Sequence, residues 1–137
     1  MQKNIFISLT FLGTIISAET EISQLKRDIR KAVQIGDVEL LSRFSEHQEL
    51  NPVNLDNRKG YKMLAVACGF GQEEVVKFLL EKGADVNAVN NVKPGNFTAL
   101  DVAEIYKHKV IVTLLKLHGA QHFRELSGAR TCDKFDN

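Results

Sequence analysis

Two histidines four residues apart, His118 and His122, have the spacing that could hold a metal ion, because an i, i+4 pair brings two imidazoles onto one helix face. Gly119-Ala120 between them should end a helix, so the two rings are expected to share no face. His47 and His108 stand alone. Cys68 and Cys132 are the two thiols, and without a C-x-x-C they form no redox motif. Cys68 reads as a small buried side chain, whereas Cys132 sits in a polar stretch where it could meet another thiol. Gly69-Phe70-Gly71 lacks the third glycine of a dinucleotide loop and reads as a break between two helices. Phosphate-loop, nucleophile-elbow and zinc-protease motifs are absent. Asp85, Asp101 and Glu104 fall in positions with structural duties, which leaves no carboxylate pair for acid-base work. Catalytic residues: none, metal: none and cofactors: none are therefore the expectation. Asn96-Phe97-Thr98 is a glycosylation sequon that would operate only in a eukaryotic secretory route.

The 137 residues are 44% hydrophobic and 26% charged with a formal net charge of +1, ordinary values for one small globular domain. So even a balance gives no long-range attraction to nucleic acid or to an anionic membrane. The local basic groups Arg27, Arg30 and Lys31, and Lys107, His108 and Lys109, read as solvated faces.

The elements that must carry any function are written twice. Gly60 to Asn87 and Phe97 to Ala120 align so that Leu64 matches Leu100, Ala67 matches Ala103 and Gly83-Ala84 matches Gly119-Ala120, at an offset of 36 residues. In Glu74-Val75-Val76-Lys77-Phe78-Leu79-Leu80 the apolar positions make one broad helical face. A third, weaker copy lies upstream, where Gly36 to Phe44 matches Gly71 to Leu79 and Ile22, Leu25, Ile29, Ala32 and Val33 keep helical spacing.

Gly83-Ala84-Asp85-Val86-Asn87-Ala88 resembles the segment that closes an ankyrin repeat and opens the next finger, and its glycine suits the left-handed end of a helix. The resemblance covers roughly residues 22 to 120. It implies an all-α ankyrin-repeat solenoid of about three helix-turn-helix repeats with β-hairpin fingers, at approximately 22–54, 57–89 and 93–120, followed by a polar tail over 121–137. The family's usual period is exceeded by a short insertion, placed between Val89 and Asn96. Lys62-Met63-Leu64-Ala65 replaces the family's T-P-L-H, so the second repeat lacks its threonine cap. The third regains one through Thr98 and Asp101. Lys107-His108-Lys109 stands where a glycine normally opens the second helix.

Ahead of the repeats, Met1-Gln2-Lys3-Asn4 precedes an apolar run from Ile5 to Ile16 and then Ser17-Ala18-Glu19. That order predicts a signal peptide over residues 1–18, cleaved after Ala18, and a periplasmic or secreted location. A first helix packed on the repeats is the other reading of the same residues. The signal-peptide reading, with the repeat resemblance and few cysteines, points to an exported protein of bacterial type.

By the resemblance, partners lie along the concave face. Matched slots give a finger-base column of Lys26, Tyr61 and Phe97, a column of Gln34, Gly69 and Ile105, and a column of Ile35, Phe70 and Tyr106, with Arg58, Lys59 and Lys93 on the fingers. Rigid apolar area with a polar rim is what interface hot spots use, although Phe70 and Tyr106 could instead seal the bend between helices. The partner-binding residues expected are therefore Ile35, Arg58, Lys59, Tyr61, Phe70, Lys93, Phe97, Ile105 and Tyr106. The expected function is non-enzymatic recognition of another protein by a monomer, with no nucleic-acid or membrane partner after cleavage. An inhibitor, immunity-type or accessory role beside an exported enzyme fits. The alternative is an effector delivered to a host cell, and a metal-binding or enzymatic protein ranks behind both.

Overall fold

The computed structural model describes residues 12–48, 50–56, 62–93 and 95–128, with side chains from Ala18 onward. Seven helices run in chain order: α1 (Leu12–Ile35), α2 (Val38–Phe44), α3 (Met63–Phe70), α4 (Glu73–Glu81), α5 (Ala99–Ile105), α6 (Lys109–Leu117) and α7 (Phe123–Leu126). A two-stranded antiparallel hairpin, β1 (Asn90–Val92) with β2 (Gly95–Phe97), stands between α4 and α5 and pairs Asn90 with Phe97. It occupies the expected insertion. The finger before α3 is represented by a single bridge between Asp56 and Lys62.

Helix pairs α1–α2, α3–α4 and α5–α6 lie side by side, and α3 packs on both α1 and α5. Apolar positions that recur at helical spacing build one shared interior: Ile29 and Val33, Leu41, Leu64, Val75 and Leu79, then Leu100, Ile111 and Leu115 are all buried. The leucines matched in the sequence sit in equivalent core positions, and burying each contributes about 1.5–3 kcal/mol. A helix of α3's composition is buried all round, from Met63 to Cys68, because it is the middle element with a neighbour on either side.

The start of α3 lacks a side-chain cap, but the residue that opens it is held from the next repeat. Lys62 makes no side-chain cap; its backbone N–H donates to Asn90 Oδ1 at 2.6 Å. Asn90 is itself buried and donates to the Phe97 carbonyl at 3.2 Å, so a polar side chain in the core is satisfied by the backbone it organises. Lys62 Nζ also pairs with Asp56 at 3.1 Å. At α5 the expected cap is present: Thr98 and Asp101 form a reciprocal capping box.

The segment expected to begin a polar tail at residue 121 starts in contact with the repeats. The chain does not leave the stack at Ala120 but turns into α7, whose first residues are tied to α5: the Phe123 N–H donates to Asp101 Oδ2 at 3.0 Å and Thr98 Oγ1 donates to the Gln121 carbonyl at 2.9 Å. Residues 129–137 lie outside the described residues, as does most of the expected signal peptide. Helix α1 runs without a break through Ala18 and Glu19. Among the described residues no helix is long and apolar enough to cross a membrane.

Candidate functional site

Each first helix ends in the same way. Ile35, Phe70 and Tyr106 are followed by Gly36, Gly71 and Lys107, all in the left-handed region at φ 87°, 73° and 62°. For the two glycines this costs nothing; for Lys107 the Cβ is crowded against its own carbonyl. The reversal lets the next residue reach back one repeat. Gln72 Nε2 donates to the Gln34 carbonyl at 2.7 Å, and His108 Nε2 lies 3.3 Å from the Gly69 carbonyl. His108, expected to stand alone, is thus an inter-repeat tie, and its ring stacks on Tyr106 at 6.4 Å between centroids.

These ties hold the last side chains of the first helices outward. Ile35, Phe70 and Tyr106 are 62%, 57% and 61% exposed, and Ile105 beside them is 70% exposed. Groups so open to solvent do not seal the bend; an apolar strip across three repeats is left facing water. At Gly69, in the second column, a Cβ would stand 3.4 Å from Val102 and 3.8 Å from Tyr106, ordinary contact distances; the matched slots hold Gln34 and Ile105.

The remaining expected positions divide. Lys93 is exposed in the hairpin turn. Phe97 is half-buried and packs against the core, and Lys26 is half-buried on α1. Arg58, Lys59 and Tyr61 lie outside the described residues.

Sequence reasoning missed a groove of about 480 Å³ beside this strip. It is lined by Val92, Lys93 and β2 of the hairpin, Asp101 and Ile105 of α5, and Phe123 and Arg124 of α7. Continuing the 36-residue register past Ala120 would have found Phe123, since Gln121-His122-Phe123 follows Gly119-Ala120 as Asp85-Val86-Asn87 follows Gly83-Ala84. The segment is also tied to the preceding repeat: Asn87 accepts from the Gln121 N–H at 2.8 Å and donates to the Gly119 carbonyl at 3.2 Å.

The ionisable groups nearby are committed to holding the fold. Asp101 accepts from the N–H groups of Thr98 and Phe123 and from His122 Nδ1, the last at 2.6 Å. Burial pushes its carboxyl upward, but those hydrogen bonds outweigh burial and hold it below its ordinary range. His122 Nε2 also faces Glu104 at 3.6 Å, and Glu104 pairs with Lys116 at 3.2 Å. His118 instead turns its ring to the Leu114 carbonyl at 2.9 Å, so the two histidines are not brought together. Among the described residues no three or more His, Cys, Asp or Glu are grouped to hold a metal ion. Cys68 is fully buried, and that burial pushes its thiol up to about 12, far from a reactive thiolate.

Comparison with known proteins agrees with this architecture. Residues 29–125 match the family model of ankyrin repeats in three copies. The chain is similar to ankyrin repeat and SAM domain-containing protein 6 of Rattus norvegicus, 33% identical over 107 residues that cover 78% of this chain and 12% of that protein. It is also similar to NAD-capped RNA hydrolase NUDT12 of Homo sapiens, 31% identical over 102 residues that cover 69% of this chain and 21% of that protein. The chain therefore spans about a fifth or less of the length of these relatives.

Proposed function

We propose that this chain, which belongs to the ankyrin-repeat family, binds another protein through the exposed strip of Ile35, Phe70, Ile105 and Tyr106, and acts by binding rather than by catalysis. Ankyrin repeats are generally protein-interaction modules. The observation that carries the reading is the exposure of four large apolar side chains at the matched ends of α1, α3 and α5, the first helices of three consecutive repeats. Backbone reversals and inter-repeat hydrogen bonds hold them there, a preorganised surface that needs little ordering on association. Lys93 supplies a charged rim. The non-catalytic part of the reading is supported by the engagement of Asp101, His122 and Glu104 with one another and with backbone groups.

The test is capture of a partner by the native chain and by Phe70→Glu with Tyr106→Glu, with circular dichroism on both. Retained helicity and lost capture are expected; capture unchanged by the two charges would overturn the reading.

The same reading places the protein in the periplasm or outside the cell, as an inhibitor or an accessory of an exported enzyme, on the strength of the basic start, apolar run and Ala18 boundary of residues 1–18. Amino-terminal sequencing of the protein from its native source is expected to begin at Glu19, and an intact Met1 on the functional protein would overturn export.

A further inference from the structure

We propose that the groove between the hairpin and α7 takes an extended acidic segment of the protein partner, with a large apolar side chain seated between Phe97, Ile105 and Phe123. The proposal rests on the protein-binding reading above and names the chemistry of the partner for one part of that surface.

Three observations converge on it. The first is the lining: Phe97 of β2, Ile105 of α5 and Phe123 of α7 come from three elements to a groove of about 480 Å³, a size that holds a few side chains and not a folded domain. The second is charge. Lys93 of the hairpin turn and Arg124 of α7 both line the groove, and no carboxylate of the described residues lies within ion-pair distance of either. Asp101, the acid of the groove, already accepts from Thr98, Phe123 and His122, so its charge is turned into the fold. The two cations are left to meet carboxylates from outside. The third is shape. Gly95, Asn96 and Phe97, the three residues of β2, all line the groove, so extended backbone borders it along one strand, a setting in which an extended peptide can lie alongside. A second copy of this chain fits less well, because bringing two such grooves together would oppose like charges.

The test uses the full chain and a displayed library of random peptides of about twelve residues, selected on the native protein and counter-selected on Lys93→Glu with Arg124→Glu. Circular dichroism checks that the variant is folded. Enriched sequences are expected to carry two or more acids close to an aromatic or aliphatic residue, and a synthetic representative should lose affinity about tenfold or more on the charge-reversed variant and weaken with added salt. A neutral or basic consensus, no enrichment, or equal binding to the variant would overturn the proposal. So would selection that succeeds only after Asp133→Lys with Asp136→Lys, which would give the groove to the chain's own residues 133–136. Self-association abolished by the charge reversal would give it to a second copy. Failure of this selection leaves capture through Phe70 and Tyr106 standing, whereas insensitivity of capture to those two positions removes the strip and leaves the peptide result intact.

Discussion

His108 Nε2 lies 3.3 Å from the carbonyl oxygen of Gly69 one repeat earlier, the counterpart of the 2.7 Å hydrogen bond from Gln72 to Gln34. Both ties close over a glycine. A Cβ on Gly71 would come 2.8 Å from His108 Cε1, and one on Gly36 would come 2.6 Å from Gln72 Oε1. Gly71→Ala therefore suffers twice, from the left-handed backbone and from displacement of the ring. A loss of about 2 kcal/mol or more is expected in urea unfolding. Gly83→Ala, with the same sign of φ but open space around it, should lose about 1 kcal/mol. Equal losses would show that the tie contributes nothing.

Lys107 adopts the conformation that the other two repeats assign to glycine, at φ 62°. Relief of its steric cost, less the greater freedom glycine has when unfolded, leaves Lys107→Gly about 1 kcal/mol more stable. The midpoint of thermal unfolding should rise by a few degrees; a fall would refute strain at this position.

Asp101 ties α7 to α5 as an anion. Its carboxyl is held below the ordinary range in the folded chain, so the unfolded chain takes up a proton first as pH falls. The stability it contributes is full above its unfolded value of about 3.9 and is lost as pH drops through the lower folded value. Asp101→Asn is expected to be less stable at neutral pH and to show a flatter loss of stability between about pH 5 and pH 3 than the native chain. Parallel curves would mean that another carboxylate governs the acid limb.

Leu79 is fully buried at the centre of the stack. Leu79→Ala should cost about 2–5 kcal/mol, a large share of what so small a domain possesses. An unchanged unfolding midpoint in denaturant would contradict its place in the shared interior.

Cys68 is expected to be silent toward a thiol reagent in the folded protein, because burial removes both access and thiolate. In a Cys132→Ser chain, modification should appear only with unfolding. Rapid labelling under native conditions would show that α3 opens locally.

The repeat frame was legible because it rests on a few residue types at fixed spacing. Leu64 and Leu100 stand in the core, and the glycines at 36, 71 and 83 are left-handed at helix ends, the places their repeat spacing assigns them. The exposed strip followed from that register. What stayed hidden are contacts made by residues of no diagnostic type. Nothing in Asn90 announces that its side chain holds the residue opening a helix 28 residues earlier, and His108 looks solitary until the backbone reversal at Lys107 aims it at Gly69. The groove was missed because residues 121–126 look polar and short, while their place depends on Asp101, a residue already accounted for as a helix cap.

The bonds that join one repeat to the next have a consequence for how the chain assembles. Side-chain hydrogen bonds between neighbouring units, from Arg30 to the Asp56 carbonyl through to His108 and Gly69, span at most 39 residues. Each closes a loop of similar length at a similar entropic cost, so no single pairing has to wait for a distant one. Ordering can begin at whichever pair of units forms first and spread like a zipper toward both ends. A tug or a protease acting on one end should undo the molecule unit by unit, starting with the helix pair at that end and reaching the far pair last.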